Sequence, residues 1–242
     1  MGEKKQYFLD HLEELRRRLL TGLLAWFLGT LFVSLFLDHL LAFLLSPVGQ
    51  VVFLRPTEAF VTKVKVALFG GFFTAFPVLL HQAWQFLSPA LLDRERKHLQ
   101  ALLPLSCVLF FLGLVFCYFA VLPPAFRFLL QSGGEGIRPS ISFESYVSFV
   151  THFVLGFGLL FQVPILIFFL MKSRLVDAAF FRAKRKHVIV AILILAAILT
   201  PGPDIFSQLL LALPTFLLYE ASVFVSARIV GRKSKRRKKT KA

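Results

Sequence analysis

The sequence predicts an all-α integral membrane protein with six transmembrane helices, and three properties of its 242 residues lead to this prediction. Hydrophobic residues make up 57% of the chain and 30 residues are Phe, which is more apolar than one soluble core requires. The apolar residues form continuous runs, whereas a membrane β-barrel would show alternation over about ten residues. Most runs approach the ~20 residues that a helix needs to cross a bilayer.

The predicted spans lie at residues 19–37, 60–80, 101–122, 146–171, 187–199 and 205–225. They form one predicted membrane domain over residues 1–228, followed by a basic tail over residues 229–242. From residue 231 the tail has no apolar residue before its terminal Ala, so we expect it to be disordered.

The distribution of Lys and Arg predicts the orientation, because basic loops stay in the cytoplasm. One side of the predicted bundle carries the cations of residues 4–5, 16–18, 94–97, 172–186 and 228–241. The opposite side carries fewer cations, which are Arg55, Lys63, Lys65, Arg127 and Arg138. Both termini are therefore predicted to be cytoplasmic.

The net charge of +15 has two explanations, nucleic-acid binding or membrane topology. The charge is divided among loops that flank apolar spans, which favours topology and attraction to anionic lipids. Each Lys or Arg near such a surface contributes about 1 kcal/mol of attraction. We expect anionic lipids as partners and no nucleic acid.

The sequence contains no recognisable catalytic or metal site. Cys107 and Cys117 both fall in the third predicted span, where packing explains them, and the histidines are scattered. No H-E-x-x-H, G-x-S-x-G or Walker motif is present, so we expect neither an enzyme nor a cofactor. The first apolar run has no A-x-A cleavage site and is predicted to be a retained span. No transit-like leader precedes it, which favours a bacterial inner membrane.

Residues 7–19 predict an amphipathic helix at the cytoplasmic interface that continues into the first span. Apolar residues recur at helical spacing on one face, while Glu13 and Glu14 precede three arginines on the other. Glu13 with Arg17, and Glu14 with Arg18, are i,i+4 pairs in the favourable order, each contributing a few tenths of a kcal/mol. From spacing alone, a solvated and self-paired face is favoured over a binding role as the explanation of these charges.

Residues 84–97 form a polar connection between two membrane-length runs. Ser88 before Pro89 predicts a helix N-cap followed by a proline at the first position. Glu95 has no basic residue three or four positions later, so it is available to accept an external cation. From the pattern alone, a solvated surface charge explains Glu95 better than a binding role does. Phe86 provides an aromatic anchor nearby.

Several separated blocks of the chain resemble TatC, the core receptor subunit of the twin-arginine protein translocase. Residues 11–19, H-L-E-E-L-R-R-R-L, resemble the N-terminal motif of the family. Residues 76–91, F-P-V-L-L-H-Q-A-W-Q-F-L-S-P-A-L, with Glu95 and Arg96, resemble its first cytoplasmic loop. Residues 199–208, L-T-P-G-P-D-I-F-S-Q, and residues 214–220 resemble its last outer turn and sixth span.

The resemblance implies a concave six-helix bundle in the bacterial cytoplasmic membrane that binds twin-arginine signal peptides of folded proteins. Export would be driven by the proton-motive force, in an oligomeric complex with single-span TatA- and TatB-type subunits. By the resemblance, Glu95 and Glu14 would receive the two guanidinium groups, Phe86 would contact the apolar part of the signal, and Arg16 matches the motif arginine. Arginine suits this role because its planar fork binds a carboxylate through two N–H groups.

Further polar positions match the family as transport or structural residues. Pro47 lies in the matching outer loop, and Asp204 and Gln208 lie near the turn between the last two spans. An N-cap on the sixth helix explains Asp204 equally well. Gln162 lies in a fourth-span stretch with two Gly and a Pro, which predicts a kink. Many family members have a glutamate at this position. The amide of Gln162 cannot take up and release a proton as a carboxylate can. Glu220 is the candidate intramembrane acid, or reaches the cytoplasmic edge instead.

The fifth predicted span has only 13 residues, about 20 Å of helix against about 30 Å of hydrocarbon. Because such a mismatch thins the bilayer or recruits other helices, we expect the fifth and sixth spans to form the docking edge for the single-span partners.

Two other classes of membrane protein are alternatives to a receptor. A secondary transporter would show repeats and interrupted helices meeting at midplane charges, and a membrane enzyme would show catalytic groups within the spans.

Overall fold

In a computed structural model of the chain, the fold consists of helices joined by short connections. The structure describes residues 2–49, 51–88, 93–131, 140–173, 175–199 and 205–239. The side chains of residues 2–11, 87, 93–95, 97–101, 199 and 230–239 lie outside the described part. Within the described residues the β-type pairing is one isolated bridge between Val52 and Ser142. The predicted all-α class is confirmed.

The helices follow the apolar runs of the sequence. In chain order they are α1 Gly2–Ser34, α2 Leu37–Leu45, α3 Pro56–Leu87, α4 Asp93–Phe116, a π-helical turn Cys117–Val121, α5 Leu122–Gln131, α6 Phe143–Leu160, α7 Val163–Lys172, α8 Ala178–Ala183, α9 Arg185–Leu199 and α10 Ile205–Lys239.

Among the described residues, four stretches are long and apolar enough to cross a membrane, at Pro56–Phe86, Leu102–Gln131, Phe143–Lys172 and Ile205–Ile229. Leu12–Ser34 and Leu37–Leu45 meet at a bend of 77°, and they add a fifth span if this bent pair crosses the membrane as one. α9, at 15 residues, is about 22 Å long and shorter than the hydrocarbon layer, as the sequence predicts. Six spans and two cytoplasmic termini remain predictions.

The predicted kink in the fourth span is present. α6 ends at Leu160 and α7 begins at Val163, so Phe161 and Gln162 interrupt the helix. Pro164, which has no backbone N–H, occupies the first turn of α7, where that donor is not needed. The apolar stretch nevertheless continues across the break from Phe143 to Lys172.

One other expectation differs from the structure, and one rests on residues outside the described part. α3 continues to Leu87, and the Ser88 N–H bonds to the carbonyls of Trp84 and Gln85. The helix predicted to begin at Ser88 falls on residues 89–92, which lie outside the described residues, and α4 is described from Asp93. The tail that was expected to be disordered continues α10 as far as Lys239. Lys and Arg are good helix formers, and the single Gly at residue 231 does not interrupt a helix already begun.

The structure divides into two compact units, Met1–Leu103 with Ser140–Ser148 and Pro104–Pro139 with Phe149–Ala242. In the first unit α1 and α3 approach closely at Gly29 and Gly71. A Cβ atom on Gly71 would lie 2.5 Å from the backbone N of Thr30, and one on Gly29 would lie 2.7 Å from the carbonyl oxygen of Gly71. Trp26 Nε1 also donates to the carbonyl of Leu68 on α3, at 2.8 Å.

In the second unit the largest fully buried side chains are phenylalanines. Phe110, Phe153 and Phe157 are fully buried, and Gly158 lets α6 approach α4 so closely that an added Cβ would lie 2.7 Å from the Phe110 ring. A separate cluster joins α7 to α10 through Ile167, Met171, Tyr219 and Val223. These contacts give each unit its own packed interior.

We expect Gly71→Ala to destabilise the protein by about 1 to 3 kcal/mol, the cost of overpacking a close contact. The added methyl group would clash with the backbone of Thr30 and with its side chain. The Thr30 side chain cannot rotate away without losing the hydrogen bond from its hydroxyl to the Trp26 carbonyl. Thermal unfolding in detergent measures the effect.

The matched control is Gly22→Ala on the same helix pair. Its Cβ would lie 3.0 Å from Cδ2 of Leu79, the end of a side chain that can move. A melting temperature that falls equally in the two variants would contradict the assignment of Gly71 to a rigid backbone contact.

Candidate functional site

A chain of polar contacts joins α1 to α3 near the N-terminal part of α1. Arg18 donates through Nε to Glu14 Oε1 at 3.0 Å, and its Nη2 bonds to the same oxygen. Its third nitrogen, Nη1, donates to Gln85 Oε1 at 2.8 Å. Gln85 Nε2 in turn lies 2.7 Å from His81 Nε2. Four side chains from two helices are thereby connected.

The antiparallel packing of α1 and α3 produces this arrangement. Thr30 lies against Gly71 and Gly22 lies near Leu79, so contacts move backward along α3 as they move forward along α1. Arg18 lies one turn of α1 before Gly22, and in the same register it meets Gln85 on α3. The residues that meet are therefore determined by the close glycine contact farther along the helices.

The structure brings together part of the predicted signal-binding set. Glu14 is one third exposed and forms the predicted i,i+4 pair with Arg18, whereas Arg16 on the same helix is exposed. Phe86 is half-buried and follows Gln85 directly on α3, so it lies at the same end of the helix pair. Glu95 belongs to the first turn of α4, and its side chain lies outside the described residues.

At the other end of α3, Glu58 is a buried carboxylate that the sequence analysis missed. It is 4% exposed, and each oxygen accepts two hydrogen bonds. Oε2 accepts from the backbone N–H groups of Leu54, at 2.7 Å, and Arg55, at 3.3 Å. Oε1 accepts from the Ser142 hydroxyl at 2.6 Å and the Glu144 N–H at 2.9 Å. Glu58 thus serves the N-termini of α3 and α6 together, where a negative charge is favoured.

Two cations on the predicted outer side, Lys63 and Lys65, are paired with carboxylates. Lys65 Nζ contacts Glu144 at 2.5 Å, and Lys63 Nζ contacts Asp38 at 3.2 Å on an exposed surface. Pro47 is exposed, in the turn that follows α2. Gly49 closes this turn with a φ of 77°, which a residue with a side chain rarely adopts.

In the second unit, two predicted polar residues bond to backbone carbonyls. Gln162 Nε2 donates to Ser106 at 2.9 Å, joining the break in the fourth span to α4. Gln208 Nε2 donates to Leu193 at 2.9 Å, joining α10 to α9. A carboxylate has no N–H group, so the bond from residue 162 requires the amide found in this chain.

Glu220 lies near the basic connection before α9. Its Oε2 accepts from Arg185 Nη2 at 2.6 Å, while Oε1 is buried and has no hydrogen bond among the described residues. The neighbouring Tyr219 donates from its hydroxyl to the Phe181 carbonyl at 2.8 Å. Asp204 lies outside the described residues, and α10 begins at the next residue, Ile205.

Glu58 had a recognisable signal in the sequence. Arg55-Pro56-Thr57-Glu58 places a Pro at the first helical position and a Glu two residues later, a common helix start. The bond from Arg18 to Gln85 had none, because it depends on how two helices are aligned. No group of three His, Cys, Asp or Glu residues that could hold a metal ion occurs in the described part of the chain.

The family model described as "Sec-independent protein translocase protein (TatC)" matches residues 10–214 of the chain. A Sec-independent protein translocase protein TatC from Carboxydothermus hydrogenoformans is 39% identical over 230 residues, covering 93% of this chain and 95% of the relative. The protein of the same name from Escherichia coli K12 is 35% identical, covering 95% of this chain and 92% of the relative.

Two solved structures have the same fold. Both are crystal structures described as the twin arginine translocase receptor TatC. One, 35% identical, superposes with a TM-score of 0.80 over 91% of this chain and 99% of its own. The other, determined in DDM and 36% identical, gives a TM-score of 0.81 over 89% of this chain and 99% of its own.

Glu58→Gln should lower the melting temperature by roughly 5 °C, the scale expected when two buried hydrogen bonds are lost. The Gln amide keeps one acceptor oxygen, but its N–H₂ group takes the place of the other. The two donors that faced that oxygen then have no acceptor. Asp38→Asn removes a carboxylate from the exposed pair with Lys63 and should change the melting temperature by less than about 1 °C. Equal melting temperatures for Glu58→Gln and the unmodified protein would refute the capping role.

Proposed function

Because the chain belongs to the TatC family of Sec-independent protein translocase proteins, we propose that it is the receptor and core component of a twin-arginine translocation system. It binds the twin-arginine signal peptides of folded proteins and organises their export, driven by the proton-motive force. The observation that carries this proposal is the match, over about nine tenths of the chain, to solved structures described as the twin arginine translocase receptor.

The signal peptide binds at the end of the α1–α3 pair that carries Glu14 and Phe86, together with Glu95 on α4. The two carboxylates receive the paired guanidinium groups, and Phe86 contacts the apolar part of the signal. A hydrogen bond to a charged group contributes about 1.5 to 3 kcal/mol, enough for two arginines to identify a signal peptide. Glu14 is one third exposed, which supports this role, since an incoming side chain can reach it.

The protein is a multi-pass component of a bacterial cytoplasmic membrane, with six spans and both termini in the cytoplasm. The bacterial origin of the relatives and the positions of the cations support this placement. Exposed cations around α8 and α9, among them Arg182, Lys184 and Lys186, suit contact with anionic lipids. Gln162 has a packing role, because its amide is bonded to the Ser106 carbonyl.

Single-span TatA- and TatB-type subunits dock along α9 and α10. α9 is shorter than the hydrocarbon layer, and both helices expose large apolar side chains, including Ile194, Ile198, Leu209 and Leu213. Gln208 joins the two helices near their connection, so they present one surface. An added apolar helix would compensate for the short length of α9.

Binding of a twin-arginine signal peptide to the purified protein tests the proposed site directly. We expect Glu95→Ala and Glu14→Ala to weaken binding, with the larger loss for Glu95→Ala at about tenfold or more, the scale of one charge-assisted bond. A twin-lysine peptide should also bind more weakly to the unmodified protein. Unchanged affinity after Glu95→Ala would refute the assignment of this residue.

Cysteine crosslinking tests the docking edge, after Cys107 and Cys117 have been replaced by Ala. Ile194→Cys on α9 and Leu213→Cys on α10 should crosslink to single-span partners that carry a cysteine in their apolar segment. Leu112→Cys on α4, which is comparably exposed, is the control and should crosslink weakly. Crosslinks confined to α3 and α4 would place the partners elsewhere.

A further inference from the structure

We propose that Arg18 is an internal competitor for the signal peptide, which occupies Glu14 in the unbound protein and is displaced when a signal arginine arrives. This inference rests on the proposed function, because it assigns the first step of binding at the same site. It names Arg18 and Gln85 as residues that set the affinity of the site, in addition to the carboxylates that receive the signal.

The geometry of the contact is that of a ligand already in place. Two nitrogens of the Arg18 guanidinium bond to the same oxygen of Glu14, so this oxygen is engaged by the chemical group that a twin-arginine signal presents. The side chain of Arg18 is 18% exposed, while that of Glu14 is 33% exposed. The carboxylate is thus more accessible from outside than the guanidinium that contacts it.

Arg18 also has a second attachment that an exchange would release. Its Nη1 donates to Gln85 on α3, which is the neighbour of Phe86 and contacts His81. When the guanidinium leaves Glu14, its hydrogen bond to Gln85, which links α1 to α3, also breaks. Gln85 is next to Phe86, the proposed contact for the apolar part of the signal. Recognition of the charge and rearrangement beside Phe86 would therefore occur in one step.

Exchange sets a threshold for binding. The competitor is part of the same chain, so its effective concentration at Glu14 is in the millimolar range or higher. Displacing it costs the same whichever cation arrives, so competition lowers the affinity of every ligand that uses Glu14 by one factor. An incoming arginine replaces one planar fork by another, whereas lysine is a compact point charge and recovers fewer bonds to the carboxylate.

The test is the affinity of the full-length protein for a twin-arginine signal peptide and for its twin-lysine counterpart, measured with Arg18→Gln. Removing the competitor should tighten binding of the twin-arginine peptide about two- to fivefold, the range for a part-exposed ion pair. Twin-lysine binding should tighten by the same factor, because both peptides displace the same guanidinium.

Arg17→Gln is the matched control, because it removes one positive charge from the adjacent, exposed position. It should change either affinity by less than Arg18→Gln does, which separates competition at Glu14 from a general loss of repulsion. Gln85→Leu, which removes the acceptor on α3 and keeps both charges, should tighten binding in the same direction as Arg18→Gln by a smaller amount. Melting temperatures verify that each variant is folded.

The outcomes separate this inference from the proposed function. If the unmodified protein binds the twin-arginine peptide and Arg18→Gln leaves affinity unchanged or weakens it, Arg18 positions Glu14 and the competition is refuted. The same holds if Arg17→Gln tightens binding equally. If the unmodified protein does not bind the peptide, or if neither carboxylate variant weakens binding, the proposed receptor site itself fails.

Discussion

The close approach of α1 and α3 at Gly29 and Gly71 is the contact on which the rest of the first unit depends. In a membrane, lipid tails are as apolar as the helices, so association relies on van der Waals contact and hydrogen bonds. Two glycines allow the backbones to meet, and the Trp26 indole bonds directly to a carbonyl of α3. This contact sets the register of the two helices, and the register brings Arg18 to Gln85. Arg18 lies more than one helical turn from Gly22, the nearest glycine of α1.

Polar side chains in the spans mostly serve neighbouring backbones. Gln162, Gln208 and Tyr219 each donate to a carbonyl of another helix, at Ser106, Leu193 and Phe181. An unpaired polar group in an apolar environment costs several kcal/mol, so such residues are stable where a carbonyl is within reach. Interhelical bonds of this kind contribute only about 0.6 kcal/mol on average in a membrane. Their main effect is to specify which helices are neighbours.

The class of the fold and most helices followed from the sequence, because apolar length and continuity are local properties. The short α9 and the break beside Pro164 were predicted for the same reason, since each depends on residues close together in the chain. The part of the site formed by Glu14 and Arg18 was also predicted, as an i,i+4 pair on one helix face.

Other features depend on distant residues. Nothing near Arg18 in the sequence indicates Gln85, which is 67 residues away and is reached only through the helix register. The partners of Glu58 on α6 are likewise remote.

The bonds of Glu58 also set an order in which the protein can be assembled. Its two acceptor sites on Oε1 are filled by Ser142 and Glu144, which follow 84 and 86 residues later in the chain. At the usual rate of synthesis of about 5 to 20 residues per second, this delay lasts about 4 to 17 seconds. During that interval α3 is complete while the carboxylate at its start has only its local backbone donors. The bonds that join the start of α3 to α6 can therefore form only when the start of α6 emerges, after α4 and α5 have been made.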